Sequence, residues 1–257
     1  MRVLPSRARA MLSPAKRSAK RITRRVMQRI ATQTSSAGEF SYVFVVTYAR
    51  SGSTLLTGLL NAIPGYRIRG ENYSVLYRLY QADAALNKAA DKYTEAFHLQ
   101  PSSAWYGTPR TRPDRFRAAL VDNFVANVLR PEPGDRVLGF KEIRYTTVHM
   151  TDLAEFLEFL LRAFPNSKIV FNHRDPVATA KSAWWARNPN AEQLIRAADD
   201  RLLAIASDDR HFHFCYDEID DSLVNVRNLY AFLGEHFDEP AVRAALGTVH
   251  STVTQHS

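Results

Sequence analysis

The chain of 257 residues contains a single cysteine, Cys215. A lone thiol excludes an internal disulfide and any cysteine-rich metal site, and it fits a protein of a reducing compartment. No stretch approaches the roughly 20 consecutive apolar residues of a membrane-spanning helix. The N-terminus also lacks the compact apolar core of a secretory signal. Acid is missing from residues 1–38, which carry ten Lys and Arg, among them Arg2, Lys16, Arg24 and Arg29. Removing those ten from the 34 basic residues leaves 24 against 26 acidic ones, so the net charge of +8 belongs to this segment. The remainder is slightly acidic and is not expected to bind nucleic acid. His98, His149 and His173 stand at no metal-ligand spacing with a third ligand.

What is present is ample apolar material, 46% of the residues with 11% aromatic, enough for a substantial core. Residues 1–38 read as a flexible basic tail and residues 39–257 as one domain. Within the tail Ile22, Val26 and Ile30 recur at helical spacing between basic residues, a pattern suited to an anionic membrane surface. A solvated, disordered arm and a transit peptide are the other readings. The expected localisation is cytoplasmic, with the tail as a means of peripheral contact at the inner membrane surface.

Apolar runs predict strands over 42–49, 66–69, 136–141, 168–173 and 211–216. Helical patterns fill 53–62, 74–99, 114–129, 151–164, the stretch after Pro176, 191–206, 222–236 and 240–246, with Thr151 as one N-cap. Such alternation predicts an α/β fold of three layers, a mainly parallel sheet wound by helices. Ligands of such sheets bind beyond the carboxyl ends of the strands. The loops after Ala49, Lys141, His173 and Tyr216 are therefore expected to converge on one crevice.

The first of these loops carries the chemistry. Tyr42 to Leu60 reads YVFVVTYARSGSTLLTGLL: a buried strand, a short loop of small and hydroxylated residues, then a helix. A strand that delivers a loop to a helix N-terminus aims free N–H groups and the helix dipole at an anion. Gly52 permits close backbone approach, and Ser51, Ser53 and Thr54 supply hydroxyls. The loop departs from the ATP-binding pattern G-x-x-x-x-G-K-[ST], since Thr47 replaces the first glycine and Ser53 the lysine. The cation has moved earlier, to Arg50, and no strand ends in an obvious Mg²⁺-binding aspartate.

Tyr48-Ala49-Arg50-Ser51-Gly52-Ser53-Thr54 resembles the 5′-phosphosulfate loop of sulfotransferases that use 3′-phosphoadenosine 5′-phosphosulfate (PAPS), in the Arg form of bacterial carbohydrate-type and tyrosylprotein enzymes. Phe171-Asn172-His173-Arg174-Asp175-Pro176, with Ser182 eight residues after Arg174, is similar to the family's 3′-phosphate motif. Arg174 leaves the strand end and Ser182 is expected two turns into the following helix, so both can meet one phosphate. Phe214-Cys215-Tyr216-Asp217-Glu218 resembles the strand-end element whose tyrosine lies near the adenine. The glycine-rich basic loop of the cytosolic enzymes is absent; Arg187 is a candidate to complete the 3′-phosphate site.

The resemblance implies a P-loop-like sulfotransferase with PAPS as donor and a hydroxyl acceptor that is a carbohydrate, a glycolipid or another small molecule. Sulfuryl transfer, like phosphoryl transfer, is mostly positioning and electrostatics, and the smaller charge on sulfur makes no metal obligatory. Arg50 is expected to offset charge on the leaving 5′-phosphate. Glu71, in Arg69-Gly70-Glu71-Asn72, is the first candidate for general base. Glu142 is the second, with Lys141 beside it to touch the sulfuryl group while Glu142 orients it. His98, His149 and His173 are further candidate bases. Tyr73, Tyr77, Tyr80, Trp105, Tyr106, Trp184 and Trp185 are candidates to line an acceptor cleft or to be core. The alternatives are a P-loop-type kinase or nucleotide-binding protein, and a membrane-recruited nucleotide-binding module.

Overall fold

The computed structural model describes residues 36–146 and 149–248, apart from the side chains of residues 36, 37, 183 and 184. The readings made on the tail therefore lie outside the described residues. From Ala37 onward the chain forms one unit built of β1 (Ser41–Val46), α1 (Ser53–Asn61), β2 (Tyr66–Arg69), α2 (Val75–Lys92), α3 (Pro113–Phe124), β3 (Val137–Glu142) and α4 (Leu153–Ala163). It continues with β4 (Ser167–His173), α5 (Pro176–Ala180), α6 (Ala191–Leu203), β5 (His211–Cys215), α7 (Val224–Leu233) and α8 (Glu239–Gly247).

The five strands pair in the order β2-β3-β1-β4-β5, every pair parallel. Strand alternation sends Tyr42, Phe44 and Val46 to one face and Val43 and Val45 to the other. The first face packs against α2, α3, α4 and α6, where Phe44, Phe140, Phe156 and Phe164 form its aromatic centre. The second face is covered by α1, α7 and α8, through Leu56, Leu59, Leu229 and Val242. Burial on both faces is why β1 reads as an unbroken apolar run. The chain winds to one side of β1 through β2 and β3 and to the other through β4 and β5. The crevice beyond the carboxyl end of β1 is therefore the topological switch point.

Three expectations need correction. Thr151 is not the cap of α4; Asp152 precedes the helix and its carboxylate accepts from the Tyr77 hydroxyl at 2.5 Å instead. The helical pattern over 74–99 ends at Lys92, and residues 96–99 form only a 3₁₀ turn. The helix after Asp175 is a single turn, capped by the Asp175 carboxylate on the Ala178 amide at 2.6 Å. Ser182 thus lies beyond α5, in extended backbone, rather than two turns into a helix.

Candidate functional site

The loop between β1 and α1 is held by a buried polar knot. The Thr47 hydroxyl donates to the Asn172 carbonyl at 2.7 Å, and its oxygen lies 2.7 Å from the Ser51 hydroxyl. Asn172 Nδ2 donates in return to the Ser51 carbonyl at 2.8 Å. These contacts fasten the loop to the end of β4 and place Ser51 inside the brace rather than on the cavity wall. Arg50 and Gly52 are both left-handed, at φ 67° and 79°. Gly52 then caps α1 with no side-chain acceptor, so the amides ahead of Leu55, which itself donates to the Gly52 carbonyl at 2.9 Å, remain available to an anion. The Tyr216 ring lies directly on Gly52.

The fold brings the two phosphate motifs into contact. Arg50 Nε donates to Ser182 Oγ at 3.1 Å, and Arg174 Nη1 donates to the Arg50 carbonyl at 3.1 Å. Ser182 reaches this position because the chain leaves α5 early to seat the buried Trp185, whose Nε1 donates to the Ala49 carbonyl at 3.2 Å. The Arg174 guanidinium stacks 4.6 Å from the centre of the Tyr216 ring. Its Nε is buried without a hydrogen-bond partner, although it pairs with the Asp217 carboxylate at 3.9 Å, and Thr179 Oγ1 on α5 is likewise buried without one. A cationic fork with an unspent donor, beside an uncapped helix N-terminus, fits a ligand carrying more than one anionic group. Arg187 is exposed and takes no part in this cluster.

A cavity of about 500 Å³ opens at this end of the sheet. Arg50, Gly52, Ser53, Thr54, Arg174 and Tyr216 line one part of it, and Glu71 and Lys141 line another. Leu246 and Thr248, at the end of α8, close a further side that no motif had indicated. Lys141 Nζ donates to Glu71 Oε1 at 2.7 Å, and Arg144 Nη1 lies 3.4 Å from Glu71 Oε2. Glu142 points to the opposite face of β3, as the next residue of a strand must. Its side chain is 3% exposed and accepts from the amides of Ser74 and Ile143 at 2.8 Å each and from Arg144 at 2.8 Å. Glu142 is thus away from the cavity, and Lys141 is held by Glu71 rather than by Glu142.

The other candidates disperse. His173 is buried, 2.7 Å from Asp199 and 2.7 Å from His213. His98 bonds Ser103 and Glu95 beyond the far end of α2, and His149 bonds Thr146. Tyr77, Tyr80 and Trp185 are core. Trp105 and Tyr106 belong to the connection between α2 and α3, and α2 alone spans about 27 Å at 1.5 Å per residue, so they are remote from Glu71. The side chain of Trp184 lies outside the described residues. Of the aromatic candidates with described side chains, Tyr73 does not line the cavity but is tied to Glu71, which does, through Arg144, whose guanidinium stacks on the Tyr73 ring at 4.4 Å and lies 3.4 Å from Glu71. Sequence reading assigned no role to Thr47, Asn172 or Arg144. Thr47 and Asn172 sit within motifs already singled out and Arg144 two residues past Glu142, but only tertiary contacts give them work.

Comparison with known proteins agrees with this geometry. Residues 42–239 match the model of the sulfotransferase family. The sulfotransferase domain of the olefin synthase from Synechococcus PCC 7002 is similar in fold, with a TM-score of 0.51 at 21% identity, covering 82% of this chain and 78% of that one. Sulfotransferase STF9 from Mycobacterium avium is more distant, at a TM-score of 0.43 and 17% identity over 81% of this chain and 67% of that one. No curated protein matches significantly. The family generally draws its sulfuryl group from PAPS. With a parallel sheet wound by helices and a family match over most of its length, the chain belongs to the sulfotransferase family and is a transferase.

Proposed function

We propose that the chain moves a sulfuryl group from PAPS to the hydroxyl of a carbohydrate, glycolipid or other small-molecule acceptor, with Glu71 as general base. The observation that carries this reading is the single cavity onto which Arg50, the α1 N-terminus, Lys141 and Glu71 all open. PAPS supplies an activated sulfuryl group bonded to a 5′-phosphate oxygen. Glu71 takes the proton of the acceptor hydroxyl as the hydroxyl oxygen bonds to sulfur and the bond between sulfur and the 5′-phosphate oxygen breaks. Arg50 and the α1 amides offset the charge that builds on the departing phosphate. Lys141, fixed by Glu71, stands beside the transferring group and offsets its equatorial charge. Arg174 and Ser182, joined through Arg50, hold the 3′-phosphate, and Tyr216 packs near the adenosine.

Glu142 serves as a brace in this reading, because its carboxylate already accepts three hydrogen bonds away from the cavity. The test is sulfuryl transfer and 3′,5′-bisphosphoadenosine binding in two variants. Arg50→Ala is expected to lose about 100-fold or more in kcat and to bind the nucleotide more weakly. Glu71→Gln is expected to lose about 10²- to 10⁴-fold in kcat with nucleotide affinity kept. Full transfer by Arg50→Ala would sink the assignment of the cradle. Loss of nucleotide affinity in Glu71→Gln would make Glu71 structural.

A further inference from the structure

The loop that carries Glu71 also holds an aromatic ring out in water. Tyr73 is 79% exposed, two residues beyond Glu71. Its backbone is left-handed at φ 59°, and Ser74 follows at φ 58°. Two successive non-glycine residues in that region are costly, and such strain persists only where the surroundings enforce it. Here Glu142 Oε2 fixes the Ser74 amide at 2.8 Å, and Asn72 Oδ1 accepts from the Val75 amide at 3.0 Å. Arg144 completes the brace, touching Glu142 at 2.8 Å and Glu71 at 3.4 Å while its guanidinium stacks on Tyr73. One guanidinium therefore sets the ring relative to the carboxylate. Folding gains little from a ring left mostly in solvent, yet Glu142 and Asn72 fix the backbone just after it and Arg144 holds the ring itself.

We propose that Tyr73 is the acceptor platform: the ring face turned from Arg144 receives the flat face of a six-membered ring that bears or adjoins the reacting hydroxyl. A pyranose with its C–H face and an aryl alcohol or phenol share that chemistry, and both stack on an aromatic ring. An open-chain alcohol has no such face. The inference rests on the assignment of Glu71, since the platform matters only if the acceptor hydroxyl lies beside that carboxylate.

The test compares the full chain with Tyr73→Ala, Tyr73→Leu, Tyr73→Phe and Tyr73→Trp, using PAPS and three acceptors: a methyl hexopyranoside, phenol and hexanol. Wild type is expected to prefer one of the ring acceptors, and which one identifies the source. Alanine and leucine are expected to raise KM for that acceptor about tenfold and to lower ring-over-hexanol selectivity equally. Phenylalanine and tryptophan should keep KM within about twofold, and 3′,5′-bisphosphoadenosine binding reports the fold of each variant. Leucine, which has bulk without a flat face, separates stacking from simple apolar cover. An unchanged KM in the alanine and leucine variants overturns the platform, and so does a wild-type preference for hexanol. Wild type that binds 3′,5′-bisphosphoadenosine yet transfers to none of the three acceptors also overturns the platform, whereas wild type that fails to bind the nucleotide overturns the donor-site reading on which the platform rests.

Discussion

Gly52 shows how much one missing side chain can decide. Its φ of 79° is one that L residues rarely hold, and a Cβ built there would stand 2.1 Å from the Tyr216 ring. Gly52→Ala is expected to lower stability by about 1 kcal/mol or more and to weaken 3′,5′-bisphosphoadenosine binding by displacing Tyr216. Adding Tyr216→Ala should relieve the clash but not the backbone strain, so the double variant recovers only part of the stability. Denaturant unfolding and nucleotide titration check both effects, and a wild-type midpoint for Gly52→Ala would refute the argument. At this scale the places of Arg50 and Gly52 in the loop after β1, and of Glu71 after β2, were legible, because a strand that breaks into a turn has a local signature. Arg144 was not legible, since its role comes from touching Glu71, Glu142 and Tyr73 at once.

Among the elements, β3 carries the clearest lesson. Lys141 and Glu142 are neighbours in sequence, and period-two alternation forces one toward the cavity and the other toward the aromatic core. A joint role on one side was therefore ruled out as soon as the segment became a strand. Gly139 in the same strand lies opposite Val43 of β1, and a Cβ there would meet the Val43 carbonyl oxygen at 1.8 Å. Because the obstacle is backbone in the middle of the sheet, Gly139→Ala is expected to cost about 3 kcal/mol or more. Chemical denaturation would read this as a lowered midpoint, and a shift under about 0.5 kcal/mol would contradict it. The single turn of α5 makes the complementary point. Proline and a capping aspartate announced where that helix starts, but its end was set by Trp185 binding the Ala49 carbonyl.

Across the whole molecule, the carboxyl end of β4 is supported by a chain of groups running from Asp199 through His173 to His213 and the Ile205 carbonyl. Burial holds the His213 pKa below the ordinary imidazole range, with nearby His173 and His211 adding to the effect and the Ile205 hydrogen bond and Asp199 opposing it. The folded state thus keeps His213 neutral while the unfolded chain takes up a proton near pH 6.5. Stability present above that pH is lost as pH falls below it, by at most about 1.4 kcal/mol per pH unit for one proton. His213→Gln, which can still accept from His173 and donate to Ile205, is expected to flatten the dependence of Tm on pH between about 7 and 5.5. Parallel slopes for the variant and wild type would dismiss the idea. Glu235 acts in a separate, more acidic window. Its pKa is lowered mainly by the hydrogen bond from Arg136, so its contribution is present above the ordinary carboxylate range and fades only as pH falls through the depressed value. By itself the sequence determined the strand and helix order, the parallel sheet, the strand–loop–helix around Gly52 and the sulfotransferase resemblance, because each rests on local periodicity or a short motif. Only the tertiary structure decided that Arg50, Arg174 and Ser182 share one cluster, that Glu71 rather than Glu142 faces the cavity, and that Arg144 joins Tyr73 to Glu71. Those facts depend on which strand ends the sheet order brings together, and on contacts between residues up to 132 positions apart, which no local pattern encodes.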